Sequence, residues 1–281
     1  LCHKRFCSMI IGNNMYERGI LMVTVIFPAA GQGKRMQAGI NKVFLELSGK
    51  PILVRTLLRF SGCASVDRLV VVVAADEVSF IERTLSLVPG LKPYTVVAGG
   101  SERQYSIANG LRAVEAGTDV VLVHDAARPM VSEETIEKVI AEARTGGAAI
   151  AAVREKNTVK VVDTHGVVKK TPNRAELWEV QTPQGFRREI LAEAYEKAAR
   201  DAFLGTDDAS LVERLGVPVK VVESDYRNIK VTTPEDLLIA EAFLREGCLQ
   251  QAKTAAGSVL ARAKANIKEK MQGHRRPTGG Q

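Results

Sequence analysis

Aromatic side chains are scarce in this chain. They make up 5% of 281 residues, with a single tryptophan. Binders of single-stranded nucleic acid interleave aromatics with basic residues so that bases can stack, and no such pattern occurs here. No apolar run approaches the roughly 20 residues that a membrane-spanning helix needs, and no internal repeat or long low-complexity tract is present. The four cysteines, Cys2, Cys7, Cys63 and Cys248, lack metal-ligand spacing and suggest no disulfide framework. That usage suits a reducing compartment, so a cytoplasmic location is expected. No Ser-His-Asp or Cys-His constellation offers a covalent nucleophile.

What is present is an ordinary globular composition, 46% hydrophobic and 25% charged, enough for one large or two small domains. The formal net charge of +7 sits in the ends. Residues 247–281 contribute +6 and residues 1–21 contribute +2, which leaves −1 for 22–246. A basic pI of about 9.3 would ordinarily suggest nucleic acid or a membrane surface. A near-neutral body argues against both.

Residues 1–21 are expected to be an extension outside the fold. They have no long apolar core and no small-residue cleavage site, so they make a poor signal peptide. Glu17-Arg18-Gly19 back-translates to a purine-rich stretch shortly before Met22, which suggests translation from Met22. Residues 247–281, rich in alanine and lysine, are expected to be a flexible basic tail.

Between them, strand and helix patterns alternate. "MVTVIF", "RLVVVVAA", "YTVVAGG", "DVVLVHDAARP" and "AAIAAV" read as strands. "PILVRTLLRFSG", "DEVSFIERTLSLV", "SERQYSIANGLRAVEAG" (with Ser101 as N-cap candidate) and "SEETIEKVIAEARTGG" read as the intervening helices. Uncharged strands alternating with helices predict an α/β, Rossmann-like, mainly parallel sheet covered on both faces. The pattern breaks at 155–175, where two short β-rich runs around "DTHG" predict a protruding β-hairpin arm. It resumes with "RREILAEAYEKAAR", "DDASLVERLG", "VPVKVVE" and "TPEDLLIAEAFLR". Ligands of such sheets bind at the carboxyl ends of the strands. The loop "FPAAGQGKRMQAGINK", the turn "AGGSER" and "HDAARP" all fall there.

The loop after the first strand fits neither common phosphate fingerprint. Gly33-Lys34 is followed by Arg35 rather than Ser or Thr, and G-x-G-x-x-G fails at Met36. Small residues Ala29, Ala30, Gly31 and Gly33 would still let backbone N–H groups approach an anion, with Lys34, Arg35 and Lys42 adding charge. A tight turn carrying surface lysines is the competing explanation. Asp125, at the end of an apolar strand, could be a magnesium or ribose partner or a salt-bridged cap. Lys230 on local evidence could be an ordinary surface lysine, and "AGGS" an ordinary helix turn.

The motifs "PAAGQGKRM" with Lys42, "VVAGGSERQYSIANGL", "VLVHDAARP", "LWEVQTPQGF", "TDDASLVE" and "NIKVTTPEDL" occur in one order. Together they resemble the sugar-phosphate cytidylyltransferases acting on 2-C-methyl-D-erythritol 4-phosphate, over about residues 23–244. The resemblance implies a nucleotidyltransferase domain at 22–246 that joins CTP to a sugar-alcohol phosphate with release of pyrophosphate. The attacking phosphate oxygen is already anionic, so catalysis would be positioning and charge stabilisation. It implies that Pro28, Ala29, Ala30, Gly31 and Gly33 cradle the triphosphate, with Arg35, Lys42 and Lys230 as the catalytic cations. It places Gly99, Gly100, Ser101, Arg103 and Ser106 at the cytosine, and Asp125 and Ala126 at the ribose and a Mg²⁺ held mainly by CTP phosphates. Arg128, Thr182 and Thr206 would meet the acceptor, joined by Thr158 and Arg174 from the arm of a second subunit in a homodimer. Neither nucleic acid nor membrane is implied as a partner.

Ser101 stands where the family often has Asp, and Asn157, Pro172 and Asn173 depart from its usual arm sequence. Two alternatives share the scaffold: a ribitol 5-phosphate cytidylyltransferase and a non-catalytic nucleotide-binding protein.

Overall fold

The computed structural model describes residues 21–31 and 42–247. Gly33, Lys34 and Arg35 lie outside the described residues, as does the side chain of Lys42. So do residues 1–20 and 248–281, on which the extension and tail expectations fall.

The chain opens with strand β1 (Met22–Pro28), followed by a small β2–β3 pair (Glu46–Leu47, Lys50–Pro51) and helix α1 (Ile52–Gly62). Strand β4 (Arg68–Val73), helix α2 (Val78–Ser86), strand β5 (Tyr94–Ala98), helix α3 (Arg103–Arg112) and strand β6 (Thr118–Val123) follow. Helix α4 (Glu133–Gly146) leads to strand β7 (Ala148–Arg154) and the arm strands β8 (Val161–Val162) and β9 (Val168–Lys170). Strand β10 (Trp178–Arg187), helices α5 (Arg188–Arg200) and α6 (Asp208–Glu213) and strand β11 (Lys220–Glu223) complete the body. A final helix, α7, covers residues 234–247.

Seven strands form one sheet in the order β11-β7-β10-β6-β1-β4-β5. All neighbours pair in parallel except β10, which runs antiparallel to both β6 and β7. The mainly parallel α/β expectation holds. Strand β10 is the element the sequence reading did not assign. Its run "WEVQTPQGFR" mixes Pro, Gly and two Gln into the pattern, and the register shifts between Val180 and Gln184.

Side-chain alternation explains the two-faced core. From β1, Val23, Val25 and Phe27 pack with α1, α2 and α4, while Ile26 packs on the other face with α3, α5 and α6. A smaller cluster of Leu47, Ile52, Val231 and Ala240 fastens the β2–β3 pair and α7 to the body. Helix α4 starts as its sequence suggests. Ser132 Oγ accepts from the Thr135 amide, and Gly147 ends the helix at φ 93°, where only glycine is unstrained. Helix α3 differs from expectation. Its N-cap is Glu102, without a side-chain cap, and not Ser101. The hydroxyl that serves this turn is Ser106 Oγ, which accepts from the Gly100 amide at 3.1 Å.

The arm forms as expected, with Asp163 Oδ1 accepting from the His165 and Val167 amides at 2.9 Å each. It carries exposed valines at 159, 161, 162, 167 and 168. No helix among the described residues is long and apolar enough to cross a membrane.

Candidate active site

Three loops at the carboxyl ends of β1, β5 and β6 enclose a cavity of about 210 Å³. Its walls are Pro28–Gly31 from the first loop, Gly100–Arg103 with Ser106 from the second, and Asp125–Ala127 from the third. Val43 and Lys230 close it. The first two loops touch directly. A Cβ built on Gly99 would lie 2.8 Å from Ala30 Cβ and 2.8 Å from Ser106 Oγ. On Gly100 it would lie 2.6 Å from Tyr105 Cβ. Glycine is required at both positions because there is no room for a side chain.

Asp125 is the electrostatic centre. Its Oδ2 is 2.9 Å from Lys230 Nζ and 3.3 Å from Arg128 Nε, and its Oδ1 is 3.9 Å from Arg103 Nε. Burial alone would raise its carboxyl. Lys230, Arg103 and Arg128 outweigh burial and hold it well below the usual carboxylate range. Asp125 is therefore an anion at any physiological pH. The cavity wall presents Lys230 and Arg103 as cations, with their side chains 38% and 35% exposed.

The backbone that aims Asp125 is fixed from behind. The Asp125 amide donates to Thr182 Oγ1 at 3.0 Å, and Thr182 Oγ1 is 3.1 Å from His124 Nδ1. His124 Nε2 is 3.0 Å from the Arg128 carbonyl. A carbonyl only accepts, so Nε2 carries the proton and Nδ1 takes the threonine hydroxyl. Full burial pushes the imidazole down to about 3, so it is neutral. His124 also packs against Phe27 and Phe60. It is a packing neighbour and lies behind the site.

The structure thus brings together Pro28, Ala29, Ala30, Gly31, Gly100, Ser101, Arg103, Ser106, Asp125, Ala126 and Lys230 around one cavity. Gly99 lies directly beneath, at the contact with Ala30. Arg128 sits beside the cavity and spans Asp125 and the Asn228 carbonyl, the latter at 2.7 Å. Thr182 is buried, and its hydroxyl serves Asp125 and His124. Thr206 is exposed on the loop before α6. Thr158 and Arg174 are exposed on the arm, where Arg174 donates to the Lys156 carbonyl at 3.1 Å.

Asp208 was missed by the sequence reading. It is fully buried and accepts from Arg103 Nη2 at 2.8 Å. It stands in "TDDASLVE", whose first Asp, Asp207, is the cap of α6, and no local pattern distinguishes a buried second Asp from an exposed first-turn carboxylate. Among the described residues, the metal-capable side chains that cluster in threes are Cys63, Glu133 and Glu137, none of which lines the cavity. Among the described residues, Glu102 and Asp125 are the carboxylates on the cavity wall, and Asp125 is the buried one.

The chain is similar to known proteins in sequence and in fold. The family model for 2-C-methyl-D-erythritol 4-phosphate cytidylyltransferase matches residues 23–246. The 2-C-methyl-D-erythritol 4-phosphate cytidylyltransferase of Geobacter metallireducens is 50% identical over 230 residues, covering 80% of this chain and 99% of that protein. Its namesake from Geobacillus thermodenitrificans is 52% identical over 217 residues, covering 77% and 94%. Among solved structures, the 4-diphosphocytidyl-2C-methyl-D-erythritol synthase of Anaerococcus prevotii superposes with a TM-score of 0.72 at 35% identity, covering 80% of this chain and 96% of that one. The Thermus thermophilus cytidylyltransferase gives 0.66 at 33% identity, covering 80% and 99%. With a matched model spanning the whole described body and a cavity built from the matched motifs, the chain belongs to the 2-C-methyl-D-erythritol 4-phosphate cytidylyltransferase family.

Proposed function

We propose that this enzyme transfers CMP from CTP to 2-C-methyl-D-erythritol 4-phosphate, giving 4-diphosphocytidyl-2-C-methyl-D-erythritol and pyrophosphate for isoprenoid precursor synthesis. The observation that carries the reading is the cavity itself. Two small-residue loops in van der Waals contact face a Lys230–Asp125 pair at the carboxyl edge of the sheet.

The chemistry follows from charge. CTP enters as a polyanion, and Lys230, 2.9 Å from Asp125, has enough exposure to turn toward a phosphate. The acceptor phosphate oxygen attacks the α-phosphorus in line, the bond to the pyrophosphate oxygen breaks, and no proton has to move. Lys230 and Lys42 would meet the charge that develops on the α-phosphate, and Arg35 that on the leaving pyrophosphate. Removing such a donor typically costs about 10²–10³ in turnover. The second loop offers backbone N–H and C=O groups for the cytosine edge, with Arg103 and Ser106 beside them. Recognition through backbone would leave the Ser101 departure harmless.

Asp125 would hold a Mg²⁺ together with CTP phosphates, since one or two carboxylates suffice for that ion. Among the described residues, its Oδ1 is the less engaged oxygen, with Arg103 Nε at 3.9 Å. When bound, Mg²⁺ withdraws charge from the phosphate oxygens. The exposed valines of the arm support a homodimer in which Thr158 and Arg174 reach the acceptor phosphate of the other subunit, beside Thr206 and Arg128. The buried unbridged thiol of Cys63 is in keeping with a cytoplasmic enzyme.

The test is pyrophosphate release by the full chain with CTP, Mg²⁺ and either methylerythritol 4-phosphate or ribitol 5-phosphate. Turnover with the first alone is expected. Turnover with the second alone would overturn the acceptor assignment. CTP binding without turnover on either would make the chain a nucleotide sensor.

A further inference from the structure

Arg103 owes its place at the cavity to an anchor outside it. It is the first residue of α3 and lines the cavity. Its Nη2 donates to Asp208 Oδ2 at 2.8 Å. The other Asp208 oxygen accepts the hydroxyl of Tyr195, a buried residue of α5. Burial, with Asp208 beside it, pushes the Tyr195 phenol well above its ordinary range, so the hydroxyl remains a donor. Asp208 is fully buried. A buried carboxylate is tolerable only while paired, so Arg103 cannot swing away without leaving that charge orphaned. Its guanidinium is thereby held in one orientation before any ligand arrives.

The loop that leads into Asp208, the first residue of α6, is held just as closely. Gln104, the next residue of α3, donates from Nε2 to the Phe203 carbonyl and accepts at Oε1 from the Gly205 amide, both at 2.9 Å. Gln184 of β10 donates to Asp207 Oδ2 at 2.8 Å and accepts from the Ala209 amide at 3.0 Å. A Cβ on Gly205 would lie 2.5 Å from Ser210 Oγ, so the loop has no slack there. Thr206 rides on this loop, between Gly205 and Asp207.

We propose that Asp208 is a positioning residue, fixing Arg103 at the nucleotide cavity through that ion pair, beside the Gln104 hydrogen bonds that also tie the Thr206 loop to α3. This rests on the reading of the cavity as the CTP site. Asp208 touches no reacting atom; it acts through Arg103, and Tyr195 acts through Asp208.

The test is CTP binding by titration calorimetry on the full chain, with turnover measured separately. Turnover by the parent protein tests the function itself, so failure there is distinguishable from failure of this inference. Asp208→Asn keeps the volume and removes the charge that holds Arg103. It is expected to weaken CTP binding by about tenfold or more, the scale of a lost charged hydrogen bond. Tyr195→Phe, which deletes only one oxygen, is expected to act in the same direction by about fivefold, and it serves if the Asn variant fails to fold. Arg103→Gln should weaken binding to a similar degree, and adding Asp208→Asn to it should cost nothing more, because both changes remove one interaction. A purely structural role for Asp208 would make the two losses multiply. That result, or Asp208→Asn and Tyr195→Phe proteins that bind CTP as the parent does, overturns the proposal.

Discussion

The contact between the two nucleotide-side loops makes Gly99→Ala the sharpest test of the cavity. The added methyl would sit 2.8 Å from Ala30 Cβ, 2.8 Å from Ser106 Oγ and 3.3 Å from the Val73 carbonyl. Ordinary contact between such atoms needs about 3.5–4.0 Å, so the loops must part by about 0.7–1.2 Å. Val73 O belongs to the sheet and also receives the Gly99 amide at 2.7 Å, so the strand side cannot yield, and the loops must. Overpacking of this kind costs about 1–3 kcal/mol of stability. A displacement near 1 Å at groups that orient a substrate costs about 10²-fold in rate. Urea unfolding should show the first loss and kcat/KM for CTP the second. Ala30→Gly removes one of the two closest clashes, so the double variant should recover part of both. A Gly99→Ala protein whose kcat/KM stays within about threefold of the parent would refute the claim that the abutting loops set the geometry for transfer.

Lys230→Ala should lower kcat by about 10²–10³ while leaving the CTP dissociation constant nearly unchanged, since the charge it would meet develops in the transition state; single-turnover kinetics with a normal rate would count against that role. Thr182→Val strands the buried Asp125 amide and should cost about 1–3 kcal/mol in urea unfolding, whereas Thr182→Ser should behave like the parent; equal stabilities for the Val and parent proteins would show that the hydroxyl does not support Asp125. Stability should also depend on pH through His124. The folded imidazole is held down to about 3, while the unfolded one titrates near 6.5. The contribution is therefore fully present above about pH 6.5 and is lost as pH falls toward the folded value, amounting to about 2 kcal/mol between pH 7 and pH 5. Unfolding free energies that do not fall across that interval would refute a neutral buried His124.

Much of this protein is legible in its sequence because local physics and tertiary structure agree. Strands β1, β4 and β6 are uncharged beyond Arg68 and Asp119 at their starts because both of their faces are covered, and that same property makes them visible as apolar runs. Gly99, Gly100 and Asp125 could be placed at one edge of the sheet because strand–helix alternation fixes which end of each strand is which. Strand β10 was hidden for the converse reason. Its Gln181, Thr182 and Gln184 are polar residues buried by partners far along the chain, Asp225, His124 and Asp207, and no local pattern records such partners. The same holds at the site. The sequence supplies Asp125, Lys230, Arg103 and Asp208 as four charges spread over more than a hundred residues. Only the fold decides that Asp125 gathers three cations, that Asp208 is buried under Tyr195, and that Arg103 stands between the two carboxylates. Ion pairing acts over a few ångströms in space, and separation along the chain does not constrain it until the sheet has formed.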